Sequence, residues 1–160
     1  MDDERLPQEE TPKERANREL IELLNELRVV LPGITVLLGF LVAVPFARGW
    51  VRVTEFQRDV FLVAFLATAV SVALFIAPTS YHRLRFRHGN KERVLLIGNR
   101  FAIGGIAAAA VSLEAVVLLV TDFVASRGFA IAVAGSLLVV VGVLWYGLPL
   151  WAALRDRSAR

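Results

Sequence analysis

The stretch VFLVAFLATAVSVALFIAP, Val60 to Pro78, carries no charged side chain in nineteen positions. As an α-helix it is about 28 Å long, close to the hydrocarbon thickness of a bilayer. It is about twice the length of a barrel strand and lacks the alternation that a barrel wall needs. In hydrocarbon every backbone N–H and C=O must be paired internally, so a helix is the remaining solution. Three further uncharged or nearly uncharged runs follow the same logic: Val29 to Ala47, Phe101 to Thr121, and Gly128 to Leu154. The expected fold is all-α, a four-helix transmembrane bundle. Pro32 and Pro45 fall near the ends of the first run and Pro78 closes the second, where few intrahelical bonds are lost.

The rest of the chain agrees with this reading. The apolar fraction is 56% over 160 residues and the mean hydropathy is +0.59, above the range of ordinary soluble domains. Charge is segregated between the apolar runs. The net charge of +3 and pI near 9.9 therefore speak of membrane orientation rather than of nucleic acid. Of the 18 Lys and Arg residues, only Arg48, Arg52, Arg58 and Arg127 lie on one side of the four spans. The N-terminal segment, the Tyr81–Arg100 connector and the tail hold all the others, which places both termini in the cytoplasm under the positive-inside rule. The chain has no cysteine, so disulfides, thiolate metal sites and cysteine nucleophiles are excluded.

Residues 1–13 are charged and aperiodic and read as disordered. Leu20, Leu23, Leu24, Leu27 and Leu31 then recur at helical spacing, with Glu19, Glu22, Glu26 and Arg28 on the other face. This predicts a cytoplasmic amphipathic helix over about 14–28, ahead of the first span. Its charges nearly cancel, which favours docking on the span ends or on a partner helix, with Glu26 and Arg28 as contacts, over adsorption to anionic lipid. Trp50 reads as interfacial, as do Trp145, Tyr146 and Trp151 at the far end of the fourth span. Residues 155–160 form a short basic tail. The membrane domain is expected to occupy 14–154.

Glu114 is the sharpest functional signal. It sits past the middle of the third span, where a charged carboxylate costs at least a few kcal/mol on insertion scales. Such a group is protonated, paired, or facing a wet cavity. It reads either as a proton- or cation-binding carboxylate, with Asp122 at the span end as a companion, or as an interhelical tie to Ser112, Thr68, Ser71 or a tyrosine. Facing a cavity would make it a site; facing sealed helix contacts would make it a tie. Arg83, Arg85 and Arg87 are placed to meet anionic headgroups. His82 and His88 form no recognised metal pattern, and no metal or cofactor is expected. Small residues, at Gly104, Ala108 and Ser112 on the third span and at Gly128, Gly135 and Gly142 on the fourth, mark close packing within the bundle or in a homodimer or with another membrane subunit. No Walker-type loop, GxSxG or HExxH occurs, so no enzyme activity is expected.

Three stretches carry a family resemblance: Glu22 to Phe46, Phe61 to Arg87 and Asn99 to Val124. Their marks are Glu26-Leu27-Arg28, the run Pro78…His82-Arg83…Phe86-Arg87, and Asn99-Arg100. They resemble a bacterial family of small four-span membrane proteins of unknown function, seen mainly in high-GC Gram-positive bacteria. The resemblance implies a multi-pass protein of the bacterial cell membrane. Members are sometimes automatically labelled sodium:proton antiporter, which implies ion transport. Two functions are expected from these readings: a structural, regulatory or partner-binding membrane subunit, or a cation/proton antiporter or subunit of one that uses Glu114. Small multidrug exporters also use a membrane glutamate, but in their first span, where this chain has none.

Overall fold

The computed structural model describes residues 11–85 and 91–158. Among them every regular element is helical: α1 (Pro12–Ala43), α2 (Glu55–Arg85), α3 (Lys91–Val124), α4 (Arg127–Gly142) and α5 (Leu148–Ser158). Two short 3₁₀ turns, Val44–Phe46 and Arg48–Arg52, link α1 to α2. Four stretches are long and apolar enough to cross a membrane: Ile21–Phe46, Glu55–Ser80, Leu96–Val124 and Arg127–Ala152. The four-span, all-α expectation is met.

The separate amphipathic helix is not found. Residues 14–28 and the first span form one continuous helix, α1. The reason is visible in the burial pattern. Leu27, Ile34 and Leu41 are buried at heptad spacing, so one apolar stripe runs from the polar segment into the span without a change of face. Leu23, Leu27 and Leu31 pack with Phe75 and Ala102, so the segment docks on the ends of α2 and α3. The expected disordered segment lies outside the described residues up to position 10; Pro12 and Lys13 already belong to α1.

Two prolines also depart from expectation. Pro32 lies inside α1 rather than near its start. Pro78 does not close α2, which continues to Arg85. Each forfeits one backbone bond, but where lipid offers no other partner the helix is still the cheapest conformation on either side. Pro78 is buried beside Gly98 of α3, whose missing side chain leaves room for Pro78 and for Leu23 of α1. The fourth span holds a π turn at Val143–Gly147, in which the Leu148 N–H donates to the Val143 carbonyl. It comes just before Pro149, which has no N–H and whose ring would press on the preceding turn.

Helix starts are set by capping boxes in TPKE and TEFQ. The Thr11 hydroxyl accepts from the Glu14 N–H at 3.3 Å, and the Glu14 carboxylate accepts from the Thr11 N–H at 2.9 Å and its hydroxyl at 2.7 Å. Thr54 and Gln57 do the same for α2, at 3.1 and 3.3 Å. The Thr11 hydroxyl, then its backbone N–H, hold the Glu14 carboxyl below its ordinary 4.5. Because the folded value is the lower one, this cap contributes fully above the ordinary carboxylate range and is lost as pH falls through the folded value. Amide protection at the first turn of α1, measured against the intrinsic exchange rate at each pH, should therefore fall on acidification, and Thr11→Ala should weaken that pH dependence, keeping only the share due to the backbone N–H. Protection in the Thr11→Ala protein that follows pH as in the parent would contradict this.

The helices do not form a symmetric bundle. α1, α2 and α3 pack against one another, whereas α4 approaches the backbone of α3 and of no other long helix among the described residues. Two apolar clusters hold the three-helix core: one around Leu27, Ile34, Phe75 and Ala102, the other around Leu41, Phe61, Ala64 and Ala115. Trp50 is half-buried at the second cluster, edge-on to Phe61 at 4.8 Å between ring centres. At the α2/α3 seam it is Gly105, not Gly104, that permits the closest approach. A Cβ there would lie 2.6 Å from the buried Phe75 ring, against 3.3 Å from Leu74 for one at Gly104.

Candidate functional site

Because α4 stands against α3 alone, a cleft remains between α2 and α4, with α3 as its floor. Its volume is about 590 Å³. Val60 and Val63 line it from α2, Val111, Glu114 and Leu118 from α3, and Ile131, Gly135 and Leu138 from α4. Val63, Val111, Ile131 and Leu138 are each about half or more exposed, so the cleft opens sideways, toward where lipid would lie. Asp59 of α2 is the second carboxylate on its wall. It lies about one and a half helical turns nearer than Glu114 to the end where α1 joins α2 and α3 joins α4.

Glu114 is thus part of a cleft wall. Its Oε1 is covered by protein and has no hydrogen-bond partner among the described residues. The hydroxyls that could have tied it are engaged elsewhere. Thr68 donates to the Ala64 carbonyl at 2.7 Å, Ser112 hydrogen-bonds Thr68 and reaches the same carbonyl at 3.1 Å, and Ser71 donates to the Gly105 carbonyl at 2.8 Å. These three side chains are fully buried between α2 and α3. Ser112 and Glu114 are two residues apart, about 200° around the helix, so they face nearly opposite ways. The interhelical polar tie exists, and Glu114 is not in it.

The structure does not bring Asp122 to Glu114. Eight residues separate them on α3, about 12 Å along the axis. Asp122 accepts from Gln57 Nε2 at 2.8 Å and from Arg127 Nε at 3.1 Å. The Arg127 guanidinium also lies 3.9 Å from the centre of the Phe56 ring. Gln57, Asp122, Arg127 and Phe56 together fasten the connector ends of α2, α3 and α4. The sequence signal for this knot is the TEFQ box, which fixes Gln57 at the start of α2, combined with the charged pair flanking the short α3–α4 turn.

At the other end, Glu26 lines a polar recess of about 340 Å³ with Glu19, Glu22 and Asn99, and Arg28 is exposed. Arg15–Glu19 at 2.9 Å and Arg18–Glu22 at 3.1 Å are exposed pairs one turn apart, worth at most a few tenths of a kcal/mol each. Arg83 and Arg85 belong to the last turn of α2, with side chains outside the described residues, and Arg87 and His88 lie outside them altogether. No cluster of three metal-ligating side chains occurs among the described residues.

The fold and the cleft define a multi-pass helical membrane protein with two carboxylates, Glu114 and Asp59, on the wall of a cleft between its spans. The chain belongs to DUF6328, a family of unknown function, whose model matches residues 9–149. No curated protein and no solved structure matches it.

Proposed function

We propose that this protein binds protons and cations in exchange at Glu114, as a small cation/proton antiporter or as the carboxylate-bearing subunit of one. The observation that carries this reading is Glu114 on the wall of an apolar cleft, with its buried Oε1 left without a hydrogen-bond partner among the described residues. A lone carboxylate at this depth is stabilised by a proton or by a cation. The two states exclude each other, which is the coupling an antiporter needs. Asp122, already neutralised by Arg127, is a structural partner in this reading rather than a second ion site. The arginine and lysine distribution supports a cytoplasmic location for both termini, with Arg83, Arg85 and Arg87 meeting anionic headgroups of the cell membrane.

A second reading, a regulatory or structural subunit that docks a homologous copy or another membrane protein along α4, draws on Gly128, Gly135 and Gly142. Each has open space where a side chain would be, which suits close helix approach.

Proteoliposomes with a trapped pH dye test the first reading, challenged in turn with Na⁺, K⁺ and a quaternary ammonium. At least one cation should move protons in the wild type and none in Glu114→Gln. Flux no greater than in empty liposomes for every cation would overturn antiport by the isolated chain.

A further inference from the structure

Resting on the reading of Glu114 as an exchangeable carboxylate, we infer that its cation is organic: a monovalent amphiphilic cation with a bulky apolar body, taken from the bilayer. The cleft is the argument. Its volume, about 590 Å³, lies in the range of drug-sized ligand sites, far more than a bare metal ion fills. Small hard cations are held by several oxygens replacing their water. Here the side-chain oxygens on the wall are those of Glu114 and Asp59, and the remaining lining residues are Phe, Val, Ala, Leu, Ile and Gly. The carbonyls of α2, α3 and α4 are spent within their helices. An inorganic ion would be stripped of water with little in return. An organic cation is weakly hydrated, and its body replaces lipid contacts with those of Val63, Val111, Ile131 and Leu138 while its charge meets Glu114.

Charge decides between this occupant and the alternatives. A lipid tail or an apolar helix filling the cleft would leave the Glu114 carboxyl in hydrocarbon with no partner, at a cost of several kcal/mol per unsatisfied polar group. A second copy of the chain brings no cationic side chain to that depth, since 29–47, 59–81, 101–126 and 128–154 contain no Lys, Arg or His. Of the groups around Glu114, Asp59 is the other titratable side chain on the wall; α4 contributes none there, and Arg127 is committed to Asp122. Competition with protons is therefore expected at Glu114, with Asp59 adding negative potential on one side.

The test is binding of radiolabelled tetraphenylphosphonium to the purified full chain in phosphatidylcholine nanodiscs. Saturable binding is expected, weakened about tenfold or more by Glu114→Gln, weakened by acidification, and unchanged as the Na⁺ concentration is raised. Gly135→Leu serves as the second variant. A Cβ there would meet nothing within 4 Å, and Gly135 lines the cleft, so the helix has room to accept the substitution while the cleft is narrowed. It should also lose binding by about tenfold with an unchanged unfolding temperature. Equal binding to the wild type and Glu114→Gln, or displacement of the probe by Na⁺, overturns the organic class. So does a co-purified phospholipid or a second copy held in the cleft equally by the wild type and Glu114→Gln. If Glu114 responds to pH and to Na⁺ while tetraphenylphosphonium ignores it, this inference falls and the exchange reading stands. If Glu114 responds to no cation and to no change of pH, both fall.

Discussion

Gly105→Leu is expected to separate α2 from α3 and leave little folded protein. The Cβ alone would sit 2.6 Å from Phe75 Cε1 and 2.7 Å from Cδ1, and Phe75 is 2% exposed, so its ring has nowhere to swing. Gly105→Ala already overpacks this seam and should cost on the order of 1–3 kcal/mol. Leucine adds three more carbons in the same place and would also pull Ser71 away from the Gly105 carbonyl it bonds at 2.8 Å. Unfolding followed by circular dichroism in detergent gives a graded series. Gly105→Leu should be the worst and Gly105→Ala clearly destabilised. Gly104→Ala should be mild, because only Leu74 must yield. Shrinking the ring in a Gly105→Ala/Phe75→Leu protein should restore part of the loss. Equal unfolding temperatures for Gly104→Ala and Gly105→Ala would contradict the assigned rotation of α3.

Asp122→Ala should have the second largest effect. Gln57 is 6% exposed, and its Nε2 donates to Asp122 at 2.8 Å. Removing the acceptor strands a buried donor, a cost of about 1–3 kcal/mol. The Arg127 ion pair adds little, since the Arg127 side chain is 51% exposed and solvent screens such pairs. Asp122→Asn keeps an acceptor for Gln57 and should recover most of the loss. A variant series in which Asn is as damaging as Ala would shift the weight from the hydrogen bond to the charge. Because this knot fastens α4 to α2 and α3, Asp122→Ala should also loosen the cleft.

The four spans are legible because bilayer chemistry leaves few solutions: long uncharged runs must be helices, and Val60–Pro78 meets that condition by itself. Their ends are less legible. α2 runs past Pro78 to Arg85 because an apolar environment gives a broken helix nothing to bond. Continuity of α1 was encoded in the heptad Leu27, Ile34, Leu41, but the change from polar to apolar surroundings at residue 28 reads as a boundary when only composition is weighed. The capping tetrads TPKE and TEFQ were open to reading in full. Glu114 stood out for its depth alone. The cleft did not, because it follows from α4 packing on α3 and not on α2. Within a uniformly apolar span the sequence does not mark which face meets protein and which meets lipid. The same ambiguity hid Gly105 behind its neighbour Gly104, which is 100° away around the helix.

The central claim is that the Glu114 carboxyl gains and loses a proton in a cleft open to cations. Infrared difference spectroscopy of the reconstituted full chain reads this directly. On alkaline titration, and again on adding a cation at fixed pH, the wild type should lose a protonated-carboxyl C=O band that Glu114→Gln never shows. Superimposable difference spectra for the two proteins would mean that Glu114 keeps one protonation state throughout, and the exchange reading would be wrong.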